Sequence, residues 1–224
     1  MKLDGIDYLG IDRVLKRGSG EIIADTDHAL LIRDDVSGTY MFACDDPATG
    51  LALLDRHIDE GCSLLMVSDY ALGITAFKRY GFSEKLECFQ VAYFGEKPAA
   101  DSRLTIRAAD EQDLTMLVKT YHLISTEELE KLVKKRSIWL GYERERLIGF
   151  IGEHLEGSMG ILYVFPAYRR RGFGSALQKH LIIQTMEKGY IPFGQVEKDN
   201  RNSLRLQKKI GMTQSDDLIV WMWR

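Results

Sequence analysis

The sequence has no CxxC pair, no basic excess and no long apolar run. Its three cysteines, Cys44, Cys62 and Cys88, all lie in the first half. Their spacing suits neither a zinc site nor a disulfide framework and predicts reduced thiols packed as small apolar side chains. A formal net charge of −3 supplies no global field to draw the chain to nucleic acid or anionic lipid, so any charge recognition has to be local. No apolar stretch approaches the roughly 20 residues needed to span a bilayer. Acids interrupt the opening stretch MKLDGIDYLGIDR, where a signal peptide requires a continuous apolar region. These absences predict a cytoplasmic protein with no metal, no membrane association and no nucleic-acid partner.

At 224 residues the chain is long enough to bury a core without staples. One segment reads as a linker, 95–102, polar and small with Pro98 inside it. It predicts two subdomains, 1–97 and 102–224. In the second, strands are expected at 138–142, 147–153, 161–165, 193–196 and 218–223. Helices are expected from Asp110, from Ser125 (where Ser-Thr-Glu-Glu resembles a capping box), over 172–188 and over 200–210. Alternating strands and helices of this kind give an α/β class, a mixed and mostly antiparallel sheet flanked by helices. The first half repeats the later part of the pattern. Its helix ending at Gly81 and strand ending at Tyr93 stand at an offset of 130 residues from Gly211 and Trp223, which suggests tandem copies of one fold.

The segment 161–177 carries the chemistry. A β-rich run stops at Pro166, then Arg169, Arg170 and Arg171 precede Gly172 and Gly174, which open a long amphipathic helix. Glycines let a backbone approach an anion closely, and a helix start offers unpaired N–H groups and a positive dipole end. Arginines add charge-assisted bonds to phosphate. Neither the third glycine of a Rossmann loop nor the Gly-Lys-Ser/Thr of a Walker loop is present. A solvated basic turn, or a nucleic-acid patch, is the competing reading; the flanking glycines and net-acidic chain favour phosphate.

Arg169-x-x-Gly172-x-Gly174, together with the downstream Val196-x-x-x-Asn200-x-x-Ser203-x-x-Leu206-x-x-x-x-Gly211, resembles the GNAT superfamily of N-acetyltransferases. With its two-part arrangement the chain most resembles the glycine N-acyltransferase-like branch. The resemblance implies two tandem GNAT-like subdomains, the first a degenerate copy without cofactor binding. It implies acyl-CoA as co-substrate, with acetyl-CoA expected. Tyr163, Val164 and Phe165 would hold the pantetheine, and Arg169, Arg170, Arg171, Gly172, Phe173, Gly174 and Ser175 the pyrophosphate. Asn200 and Ser203 are added, although both fit helix capping equally well. A backbone donor at Phe165 would polarise the thioester carbonyl. The family's acid, a tyrosine, is matched by Gln207, and the branch's base, a glutamate, by about Ser158. Glu153 and His154 are then the preferred bases, with Glu156 and Glu197 as further candidates; each also fits an ordinary hairpin or strand-end residue. The function implied is an acyl-CoA-dependent N-acyltransferase acting on a small amine or amino acid, and the reading admits a homodimer. The alternative is a non-catalytic acyl-CoA-binding module.

Overall fold

The computed structural model describes Met1 and residues 3–224, and its contacts divide the chain into two units. The first comprises Met1–Ala92, Gln195–Arg205 and Thr213–Arg224, the second Tyr93–Gly194 and Leu206–Met212. The chain leaves the first unit close to the expected linker. It re-enters that unit twice, which no local sequence signal announces.

In the first unit, helix α1 (Leu9–Lys16) precedes strands β1 (Gly20–Asp25), β2 (Ala29–Asp34) and β3 (Tyr40–Cys44). Helix α2 (Pro47–His57), β4 (Leu64–Val67), α3 (Tyr70–Arg79) and β5 (Glu84–Ala92) follow. Strand β3 pairs with β4 in parallel, Tyr40 opposite Leu65 and Phe42 opposite Val67. Both faces of this sheet are covered. Leu31, Phe42 and Leu65 cluster with Leu54 of α2 and Leu72 of α3, while Ile32, Met41 and Met66 cluster with Ile11 and Val14 of α1. Two-sided burial is why β2 reads as an apolar run rather than an alternation. The cysteines are free and buried, and burial pushes the Cys44 and Cys88 thiols up to about 12.

The second unit contains β6 (Thr105–Ala108), α4 (Leu114–Thr120), α5 (Thr126–Lys134), β7 (Ile138–Glu143), β8 (Arg146–Glu153), β9 (Met159–Val164) and α6 (Phe173–Glu187). Strands β6 to β9 form an antiparallel sheet in sequence order. The helix stripe expected to be core, Leu177, Leu181, Ile182 and Thr185, is buried, and α6 packs on β8 and β9. Gly189 ends the helix region at φ 79°. The chain closes with β10 (Phe193–Glu197), α7 (Arg201–Ile210) and β11 (Thr213–Trp223).

The larger sheet runs β1-β2-β3-β4-β11-β5-β10. The final strand of each half is therefore exchanged: β11 lies beside β4, and β5 lies beside β10. Helices α3 and α7 both stop at a left-handed glycine, Gly81 at φ 67° and Gly211 at φ 91°. The strands that follow these glycines pair with each other, Val220 opposite Glu87 and Trp223 opposite Glu84.

Strand β9 carries an irregularity. Phe150 faces Tyr163 but Gly152 faces Gly160, leaving one extra residue in β9, and Ile161 there has φ 52°. Next to this bulge Gly149 is closely approached, since a Cβ would lie 2.2 Å from the Tyr163 carbonyl oxygen. Backbone cannot yield as a flexible side chain does. Gly149→Ala is expected to cost about 3 kcal/mol, read as a lower denaturation midpoint at unchanged m-value.

Candidate functional site

Strand β9 is the edge of its sheet. Its inner side is used: the Phe165 N–H donates to the Ile148 carbonyl at 3.0 Å. In an antiparallel ladder successive residues turn their polar groups to opposite sides, so Val164 presents its N–H to the open edge. The Val164 carbonyl there accepts Arg169 Nε at 2.9 Å. This corrects the sequence expectation for Phe165, whose donor is spent inside the sheet; Val164 carries the available one. The Tyr163 ring stacks on Phe150 at 5.5 Å and meets Phe165 edge-on at 5.4 Å, fixing the end of the strand.

After β9 a 3₁₀ turn, Pro166–Tyr168, leads into the arginine turn. Two left-handed residues within three positions, Arg170 at φ 61° and Gly172 at φ 87°, bend the backbone as in concave anion nests. Gly172 is the N-cap of α6, and no side chain among the described residues caps it. The first N–H groups of Phe173, Gly174 and Ser175 lack intrahelical partners. Among the described residues the position of a Cβ on Gly172 has only Arg103 Nη2 within 4 Å, at 3.5 Å. The cradle has the open donors, the positive end and the room that a diphosphate requires.

The three arginines have different surroundings. Arg169 folds back on Val164 and lies 5.6 Å from the Tyr163 ring centroid. Arg171 Nη2 donates to both oxygens of Glu143, at 2.9 and 3.1 Å, and its guanidinium covers Phe173 at 4.9 Å. Arg170 is exposed at the rim. Arg103, which the sequence reading passed over, joins them: its Nη1 donates to the Arg171 carbonyl at 3.3 Å and its guanidinium lies 5.2 Å from the Phe173 ring. A lone arginine ahead of β6 offers no local signal of such a role.

A second group of polar side chains surrounds the start of β9. His154 Nδ1 lies 3.4 Å from Glu128 Oε1, and its N–H on the main chain donates to Ser158 O at 2.8 Å. Its imidazole lies over Gly160, where a Cβ would be 2.5 Å from Nε2. Ser158 and Glu156, both buried, are hydrogen-bonded to each other. Burial pulls the His154 imidazole down. The Glu128 hydrogen bond, with the charges of Glu156 and Glu128, outweighs it and holds the group above its ordinary value. Burial, with the charge of Glu128, pushes the Tyr121 phenol up to about 12, while the main chain at Ile161 opposes the shift. Glu128 sits at the position that the capping-box reading assigned to helix capping. Ser125 does accept its N–H at 3.1 Å, but its carboxylate turns to His154.

Glu153 lies elsewhere in this network. Its two oxygens accept from Thr185 and Lys188 of the α6 region, each at 3.0 Å, so β8 is tied to the far end of that helix. Asn200 caps α7, its Oδ1 accepting the Ser203 N–H at 3.1 Å; both belong to the first unit and the arginine turn to the second. Gln207 is buried, and its Oε1 has no partner among the described residues. Among the described residues no group of three or more His, Cys, Asp or Glu could hold a metal ion, and no helix is long and apolar enough to cross a membrane.

Residues 138–222 match the family model described as FR47-like protein. No curated protein matches the sequence. Solved structures match nearly the whole chain. A Drosophila protein is 16% identical with a TM-score of 0.63, covering 100% of this chain and 97% of its own. A GNAT-family protein from Novosphingobium aromaticivorans is 16% identical with a TM-score of 0.61, covering 98% and 97%. A GCN5-related N-acetyltransferase-like protein from Streptococcus suis is 14% identical with a TM-score of 0.57, covering 96% and 92%. At such identities the likeness is one of fold, and it does not single out the glycine N-acyltransferase-like branch. Residues 138–222 thus carry an FR47-like sequence, and the chain shares its fold nearly end to end with solved GNAT-family structures.

Proposed function

We propose that the protein is an acyl-CoA-dependent N-acyltransferase, using acetyl-CoA and a small amine or amino acid as acceptor. The observation that carries this reading is the uncapped, glycine-led start of α6 directly after an edge strand whose Val164 N–H faces outward. The nest at Arg170 to Ser175 would hold the pyrophosphate, and the open edge of β9 the pantetheine amides. Acyl-CoA supplies an activated thioester carbonyl. Val164 would donate to that oxygen, as preorganised backbone donors do where negative charge develops.

His154 is the preferred base. It is oriented by Glu128, and its raised affinity for a proton suits removal of one from an ammonium near neutral pH. Gly160, beneath the imidazole, stands four residues before Val164, about 13 Å along an extended strand, so the proton reaches His154 through water. His154, through water, takes one proton from the ammonium; the amine nitrogen then bonds to the carbonyl carbon, the C–S bond breaks, and the second proton shed by the nitrogen passes through water to the released thiolate. Glu153, Asn200 and Ser203 take structural roles in this reading, in the Lys188 ion pair and the α7 cap.

One observation favours a non-catalytic acyl-CoA-binding module instead: Gln207, at the position of the family's tyrosine, has no proton to give. Purified protein with acetyl-CoA and an amine panel separates the two, because only the enzyme releases free thiol. Gly172→Glu should abolish acetyl-CoA binding in calorimetry while the circular dichroism spectrum is kept; normal affinity would mean the cofactor lies elsewhere. His154→Ala should lower kcat by about 10²–10⁴. A neutral imidazole is the working form, so activity should rise with pH through a value above 6.5. Glu128→Gln removes a charge that favours the imidazolium, so the acid limb should move to lower pH; a stationary limb would exclude His154. Glu153→Gln should leave kcat within about twofold but lower stability by about 1–3 kcal/mol, by unpairing Lys188, measured by chemical denaturation.

A further inference from the structure

Anions, not cations, are favoured at a helix N-terminus. The first turn of α6 carries no acid, and two guanidinium groups lie against its first residue. Arg171 is 4.9 Å and Arg103 5.2 Å from the Phe173 ring centroid. The Nη1 donor of Arg103 reaches the Arg171 carbonyl at 3.3 Å. Among the described residues its Nη2 is the one group within 4 Å of a Cβ on left-handed Gly172, at 3.5 Å. Like charges converge where the dipole is already positive. Carboxylates from outside the helix offset them: Asp101 accepts from Arg103 Nη2 at 2.6 Å and Nε at 2.9 Å, and Glu143 accepts from Arg171. The Arg103 side chain is 50% exposed in that pair. Exposed ion pairs are weak and readily exchanged.

We propose that Arg103, outside the Arg169–Gly174 motif, is a phosphate-binding residue of the α6 nest, and that Asp101 occupies its guanidinium until a phosphate displaces the carboxylate. The assignment rests on the acyl-CoA reading of the turn. A phosphate at Gly172 would lie beside Arg103 Nη2, part of the fork now paired with Asp101, and that fork matches phosphate as well as carboxylate. Asp101 then acts as an internal competitor. Removing Arg103 should weaken binding, and removing the Asp101 charge should strengthen it.

Isothermal titration of the full chain with acetyl-CoA tests both directions. Arg103→Gln should raise Kd about tenfold, and Asp101→Asn should lower it about two- to threefold. The asparagine variant leaves Phe173 covered, so it guards against a loss caused by misfolding. The same titrations with inorganic pyrophosphate and with CoA lacking its 3′-phosphate locate the contact. An equal loss on all ligands assigns Arg103 to the diphosphate, and a loss confined to the 3′-phosphorylated ligand assigns it to that group. Wild-type binding with Kd unchanged in both variants would overturn the role of Arg103 alone. No acetyl-CoA binding by the wild-type chain would overturn the acyl-CoA reading and this assignment with it.

Discussion

One hydrogen-bonded side and one open side on β9 is the constraint on which the candidate site depends. Ile148 fixes the register by accepting the Phe165 N–H, and Val164 is thereby turned outward. The first half contains the corresponding order of elements, β3-α2-β4-α3-β5, with the opposite outcome. There β3 is zipped to β4 in parallel, Tyr40 to Leu65 and Phe42 to Val67, and the ladder continues through the Ser68 N–H to the Phe42 carbonyl. No main-chain edge is left at β3 for a pantetheine. The helix that follows is closed as well. Asp46 accepts the Thr49 N–H at 3.1 Å at the start of α2, supplying the anion that α6 lacks. A carboxylate at the helix start, beside a strand paired on both sides, leaves α2 and β3 without the open donors found at α6 and β9.

Charge follows the same division. α6 begins with glycine and is surrounded by arginines whose carboxylate partners come from β7 and from the segment before β6. Such partners hold the side chains in place while costing a ligand little to displace, because each pair is partly solvated. The pair of the buried Glu153 carboxylate with Lys188 lies instead near the C-terminal end of α6. There a cation is favoured by the dipole, and the pair braces the helix against β8. Thus the helix is fastened at one end and left electrostatically open at the other.

Much of this was legible in local sequence. The α6 stripe, its end at Gly189, and the Arg169–Gly174 turn all depend on neighbours within a few residues, and periodicity and glycine placement report those directly. The same holds for Asn200, whose capping geometry needs only Ser203. What escaped depends on distant partners. Nothing near Glu128 says that its carboxylate prefers His154, 26 residues on, to its own helix start. Glu153 resembles a free strand-end acid until Lys188 is placed beside it. Phe165 and Val164 are adjacent in sequence, and only the register with Ile148 decides which N–H is spent. The exchange of β5 and β11 is likewise invisible, since each strand carries the same alternation whichever half it joins.

The unpartnered Gln207 bears on which proton transfers the proposed reaction needs. A thiol has an unperturbed pKa of about 8.5 and a lysine-like amine about 10.4. Near neutral pH the leaving thiolate is therefore only modestly unstable, and water can protonate it. The acceptor, by contrast, is almost wholly ammonium and cannot attack until a base acts. A site with one positioned base and no acid is thus adequate for thioester aminolysis, although it would be poor for cleaving an ester whose alkoxide must be protonated as it leaves. In the proposed reaction, glutamine at the position of the family's tyrosine removes only the dispensable half of the acid–base pair. The half that the proposal assigns to His154 and Glu128 is the one the chemistry cannot spare.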